Sequence, residues 1–263
     1  MNVHGPRLKA LFKRLPGTNA LAPLIASRRA MEQFKQEFEK FGKLIDAAPE
    51  KRFDLRWEDR YPCLNDRKST TNFDRHYVYH TAWAARIVAE TRPAEHVDIG
   101  SSLYFCGILS AFVPVRFYDY RPADLRLSKL ASRQADLLQL PFADGTIQSI
   151  SCMHVAEHVG LGRYGDPLDP QGDHKAMTEL GRVLASGGTL LFVVPVGRPR
   201  ICFNAHRIYS FRQVREAFDG LYLKKFALIP DDPAHGGLIM NPGEAVVDAQ
   251  NYGCGCFWFV RHG

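Results

Sequence analysis

After Pro93 the sequence settles into a rhythm that few folds allow: short apolar runs at 96–100, 113–119, 135–137, 147–153 and 189–195, separated by segments of helical character. Runs of this length suit buried strands. Strands that alternate with helices imply a parallel sheet with helices on its faces, because a parallel pair needs a long crossover connection. Farther on, a helix is expected over 210–218 and strands over 221–229 and 256–261, close enough in sequence to pair antiparallel. The expected fold class is therefore α/β: a doubly wound, mostly parallel sheet with an antiparallel C-terminal edge strand, preceded by an N-terminal helical extension. The expected division is 1–75 for a basic arm and helical extension, and 76–263 for the α/β domain.

The extension has its own signature. The first 29 residues carry Arg7, Lys9, Lys13, Arg14, Arg28 and Arg29 and no acid, while the whole chain has a net charge of +6. Leu8, Leu11, Phe12 and Leu15 recur at helical spacing before Pro16-Gly17, a pattern that suits peripheral contact with a membrane surface. So short a helix buries too little to hold a membrane alone, and docking on its own domain is the plainer expectation. Over 27–47, Met31, Phe34, Phe38, Phe41, Leu44 and Ile45 form an apolar stripe; over 77–90, Val78, Ala82, Ala85 and Ile87 are expected to face a core.

No stretch approaches the roughly 18 apolar residues of a spanning helix. Six scattered cysteines and the lack of a signal-peptide pattern suggest reduced thiols and a cytoplasmic location. Cys254-Gly-Cys256 does not have the C-x-x-C spacing of a zinc ribbon. Basic residues are not interleaved with aromatics, so nucleic acid is not an expected partner. Oligomeric state is left open.

In a doubly wound sheet, ligands sit beyond the carboxyl ends of the strands, so the residues that follow each run matter most. The first run gives Asp98-Ile99-Gly100-Ser101-Ser102, and the second ends at Asp119, about where a ribose-binding acid is expected after a nucleotide loop. The third gives Asp136-Leu137 and then Leu140-Pro141-Phe142, and the fourth ends in His154-Val155-Ala156-Glu157-His158. Gly187-Gly188 precedes the fifth.

At these residues the chain resembles the class I S-adenosylmethionine-dependent methyltransferases, from about His76 to Arg261, so a Rossmann-like sheet is implied. The resemblance implies S-adenosylmethionine as cofactor. The turn holding Asp98, Gly100 and Ser102 would border its methionine moiety, Asp119 would bind the ribose hydroxyls, and Asp136 with the Leu137 amide would read the adenine. His154 joins this cofactor-binding set. One departure stands out: the family's glycine-rich loop is reduced to Gly100 followed by Ser101, Ser102, Leu103 and Tyr104, and Tyr104 is placed to fill or cover the cleft.

Methyl transfer needs an aligned nucleophile and, for some acceptors, a base. His158 is the first choice for that base, with Glu157 and His206 as further catalytic candidates. A small polar, carbohydrate-like acceptor with a hydroxyl or amine suits His158, Asp166, His174, His206 and Arg207. Three other readings compete. Asp166, Asp169 and Asp173 could hold Mg²⁺, although Asp-Pro turns explain them as well, and no metal is expected. His154-Val155-Ala156-Glu157-His158 matches the H-x-x-E-H of an inverted zinc metallopeptidase, which requires a helix. A methyltransferase-like adaptor without catalysis is the third.

Overall fold

The computed structural model describes residues 18–263, and their side chains from residue 26 on. The basic arm's expected helix at 8–15, with its membrane contact, lies outside the described residues. The chain divides into two units, Met1–Asn72 and Phe73–Gly263. In the first, helix α1 (Thr18–Asp46) starts earlier than its apolar stripe suggests. Phe34 and Phe38 of α1 pack on Trp57, the latter edge-on at 5.0 Å, and Glu37 pairs with Arg67.

The second unit runs α2 (Arg75–Thr91), β1 (His96–Ile99), α3 (Leu103–Leu109), β2 (Val115–Asp119), β3 (Leu130–Gln134), β4 (Ile147–Met153), α4 (Gly172–Val183) and β5 (Leu184–Val196). It continues through β6 (Arg200–Cys202), β7 (His206–Ile208), α5 (Phe211–Ala217), β8 (Tyr222–Ile229), β9 (Ile239–Met240), α6 (Glu244–Asp248) and β10 (Gly253–Val260). Eight strands form one sheet in the order β3-β2-β1-β4-β5-β10-β8-β9, and β6 and β7 pair separately. The five strands from β3 to β5 pair parallel. The antiparallel edge is three strands wide: β10 lies between β5 and β8, and β9 is outermost.

Both faces of the sheet are covered, which explains why its central strands read as unbroken apolar runs. Leu191 and Val193 of β5 and Cys254, Cys256 and Trp258 of β10 pack with Trp83, Ala84, Ile87 and Val88 of α2 and Phe105 of α3. The alternate residues, Leu190, Phe192, Val194, Phe257 and Phe259, pack with Met177 and Leu180 of α4 and Val214 of α5. This two-residue period assigns each strand side chain to one of two cores.

Three expectations need correcting. The buried face of α2 is His80, Trp83, Ala84, Ile87 and Val88, while Val78 is 49% exposed; a histidine in the core shifted the apolar stripe. The third strand is 130–134, with 135–137 forming the turn after it, because this edge strand buries only Leu130. The strand expected at 189–195 begins at Leu184 and runs through Gly187-Gly188, with a register shift opposite Ile147 and Ser149. Among the described residues, no helix is long and apolar enough to cross a membrane.

Candidate functional site

The strand order reverses between β1 and β4, since the chain builds outward through β2 and β3 and then returns to the other side of β1. A crevice opens at such a switch point. Here it is a cavity of about 270 Å³ whose lining includes Gly100, Asp119, Asp136, Leu137, Val155 and Tyr164. Gly100 sits in left-handed backbone at φ 65°, where a Cβ would lie 3.2 Å from both Val155 methyls and 3.4 Å from Asp119 Oδ2. A side chain there would be strained and would crowd Val155, beyond β4, and Asp119, at the end of β2. The Gly100 amide donates to Tyr118 O at 2.7 Å, which seats the turn on β2.

The two carboxylates are held by their own turns. Asp119 Oδ1 accepts the Arg121 amide at 2.7 Å, and Asp136 Oδ1 accepts the Leu138 amide at 2.8 Å. Asp98 does not line the cavity. It is fully buried, taking the Ser101 amide at 3.0 Å and the Ser151 hydroxyl, so it shapes the loop from below. Burial pushes its carboxyl up to about 6, against the pull of the Ser151 and Ser101 hydrogen bonds. Ser102 is the N-cap residue of α3 and is not in the lining. Tyr104 neither fills nor covers the cavity, being 87% exposed.

A second, open cleft of about 880 Å³ adjoins the first and carries both signs of charge, with Asp74, Arg75, Arg163 and Asp231 among its walls. Gly100, His154, His158 and Tyr164 line both spaces. His158 closes a 3-10 turn (Ala156–His158), and its Nδ1–H donates to Ala205 O at 2.6 Å, which leaves Nε2 as the lone-pair nitrogen. Burial lowers its pKa, with Glu157 pulling the other way.

Glu157 borders the second cleft but is only 1% exposed. Its Oε1 lies 3.0 Å from His154 Nδ1, so it holds that ring rather than reaching for a ligand. His154 follows β4 in left-handed backbone at φ 59°, its amide donating to Val193 O at 2.8 Å. His206 lines the second cleft with its ring 4.9 Å from Tyr252, and burial lowers its pKa as well.

The loop acids have partners of their own, which removes the Mg²⁺ reading. Asp166 accepts the amides of Gly160, Gly162 and Tyr164; Asp169 pairs with Lys175 at 2.7 Å; Asp173 pairs with Arg207 and accepts the Tyr209 hydroxyl. Arg207, expected to meet substrate, is buried and donates to Val159 O at 2.7 Å, stapling the 159–170 loop. His174 is exposed on α4, outside both cavities. His154 and His158 do not share a helix face, so H-x-x-E-H lacks the context a metallopeptidase needs.

Sequence reasoning missed His76 and Tyr77 of α2 and Tyr252 before β10, all of which line the second cleft. Tyr77 stacks on His154 with ring centroids 5.5 Å apart, and His76 stacks on Tyr252 at 5.3 Å. The one available signal was His76-Tyr77-x-x-His80 opening a helix whose apolar face lacked its first turn.

A family model described as "Caenorhabditis protein of unknown function, DUF268" matches residues 141–227. No match to the sequence was found among the curated proteins. Among solved structures, the N-methyltransferase NodS from Bradyrhizobium japonicum matches at 15% identity, covering 73% of this chain and 100% of its own, with a TM-score of 0.50. A protein assigned as a sarcosine dimethylglycine methyltransferase from Galdieria sulphuraria matches at 14% identity, covering 70% of this chain and 86% of its own, also at 0.50. With its switch-point cavity and sheet order, the unit Phe73–Gly263 has the fold of the class I S-adenosylmethionine-dependent methyltransferases.

Proposed function

We propose that the smaller cavity binds S-adenosylmethionine, and that its methyl group passes to a hydroxyl or amine of a small polar acceptor in the adjoining cleft. The observation that carries this reading is the shared wall: Gly100, His154, His158 and Tyr164 border both spaces, so two ligands would meet there. The cavity suits a nucleoside, because Asp119 and Asp136 each have one oxygen fixed by a turn, leaving the other for hydroxyl or amino donors. Gly100 keeps the floor free of a side chain.

Once bound, S-adenosylmethionine would supply a methyl group activated by its sulfonium, transferable to an acceptor lone pair with a thioether as the leaving group. The chain's own work is placement and proton removal. His158 presents Nε2 because Nδ1–H is committed to Ala205 O; Arg163 Nη1 lies 3.5 Å from that nitrogen and must give way to the acceptor, and the lowered pKa keeps the ring neutral and able to take the acceptor's proton. The Asp74, Arg75, Arg163 and Asp231 walls favour an acceptor with several polar groups.

Calorimetric titration with S-adenosylmethionine tests the reading. One site is expected, and Asp119→Ala should weaken binding about 30-fold or more, the cost of removing a carboxylate that receives charge-assisted hydrogen bonds. No heat with the native protein would favour the adaptor reading.

A further inference from the structure

We propose that His76, His154 and Cys254 form a binding site for a divalent transition metal, zinc foremost, beside the wall of the acceptor cleft. Each residue offers one ligand atom, and the three atoms lie within 4.8 Å of one another. His154 Nε2 and Cys254 Sγ are already 3.4 Å apart. A tetrahedral zinc with Zn–N near 2.0–2.1 Å and Zn–S near 2.3 Å sets its N and S ligands about 3.5 Å apart, so this edge needs no adjustment. The His76 and His154 rings stand parallel with centroids 5.7 Å apart, so His76 must rotate about its side-chain bonds at the first turn of α2 to turn a nitrogen toward the other two ligands.

The surroundings supply what such a site requires. Metal-bound histidines almost always donate their other ring N–H to a carboxylate or carbonyl, which fixes the tautomer and strengthens the ligand. His154 does so: Nδ1 lies 3.0 Å from Glu157 Oε1, and Nε2 faces the cysteine. Glu157 itself raises the demand. Its Oε2 is buried without a hydrogen-bond partner, and among the described residues no lysine or arginine side chain forms a salt bridge with it. A buried carboxylate of this kind needs a compensating positive charge, and a dication on the far side of the imidazole provides one. His80, buried with both ring nitrogens unpartnered, stands edge-on to His154 at 5.1 Å, a further polar group without a partner in the same pocket.

Two nitrogens and a sulfur make a borderline-soft donor set that suits zinc and rejects magnesium and calcium. The three ligands come from α2, which packs on the sheet, from the residue that follows β4, and from β10. His76 and His154 both line the acceptor cleft, so a fourth position faces open space. Three protein ligands with an open fourth position are the arrangement of sites that bind an exchangeable water or substrate atom. On the methyltransferase reading above, the ligand taken there is an oxygen or nitrogen of the acceptor. The metal site stands without that reading.

The test uses the full chain, stripped with a chelator and titrated with Zn²⁺ by calorimetry and with Co²⁺ by absorption spectroscopy. One equivalent should bind, and Co²⁺ should give a thiolate-to-metal charge-transfer band that Cys254→Ser abolishes while Cys63→Ser leaves it intact. His76→Ala should weaken Zn²⁺ at least 10-fold, and Glu157→Gln about 10- to 100-fold through His154. Thermal melts of each variant establish that it is folded; should Cys254→Ser fail to fold, His76→Ala at the half-buried start of α2 decides. Absence of the band in native protein, or the same affinity in His76→Ala, overturns the proposal. S-adenosylmethionine titration of the stripped protein reads the methyltransferase proposal separately.

Discussion

Gly160→Ala is expected to lower the unfolding free energy by about 2–4 kcal/mol, combining a strained backbone with overpacking. Gly160 sits at φ 80°, and a Cβ there would lie 2.1 Å from the carbonyl oxygen of Asp169. That contact is with backbone, so no rotamer change relieves it. The two sides of the loop are tied at the same place: the Asp169 amide donates to Gly160 O at 2.9 Å, and the Gly160 amide to Asp166 Oδ2 at 2.7 Å. The added methyl must push them apart. Because Tyr164, Asp166 and Asp169 line the smaller cavity, ligand affinity there should fall together with stability. Gly165→Ala is the control, since it has positive φ and nothing within 4 Å, and should cost only about 1 kcal/mol. Urea unfolding of the two variants checks this; equal losses would mean that backbone conformation alone sets the cost.

The second large effect is one of pH. His96 and Asp98 share Ser151: His96 Nε2 lies 2.8 Å from its hydroxyl oxygen, and that hydroxyl donates to Asp98. Burial lowers His96 to about 3, so the folded chain refuses a proton that the unfolded chain takes near 6.5, and stability is lost as pH falls below 6.5. Burial raises Asp98 from 3.8 to about 6, so its contribution has the opposite sign, being present at low pH and lost as pH rises through 6. Each slope is about 1.4 kcal/mol per pH unit, and between pH 6 and 4 the two cancel. Asp98→Asn removes one of them. The difference in unfolding free energy between native protein and variant should therefore shift by about 3 kcal/mol in favour of the native between pH 7 and pH 4. Urea titrations at four pH values measure it, and a constant difference would show that Asp98 is ionised throughout.

The strand ends were legible because the inner strands are buried on both faces, so their apolar runs stop where the chain leaves the sheet. Asp119 and His154 follow such runs directly. The third strand misled by several residues for the same reason in reverse, because an exposed edge strand such as Leu130–Gln134 carries no apolar run to read. The second cleft was invisible to local pattern. His76, His154 and Tyr252 are far apart in sequence, and only the docking of α2 against β4 and β10 brings them together. In the helix pattern His80 counted as polar, yet it is core, and that single residue turned the expected face of α2. Glu157 had the right address and the wrong task, since only burial distinguishes a carboxylate that meets a ligand from one that grips a neighbouring ring.

The position of β10 has an outcome for biogenesis. A growing polypeptide that has not yet delivered this strand leaves β5 and β8 with unsatisfied edges and the seats of Phe257, Trp258 and Phe259 empty. Such an intermediate exposes two strand edges and an apolar seat that only β10 covers. Cys254 arrives on that strand, so the proposed metal pocket is assembled by the last strand of the sheet to be made.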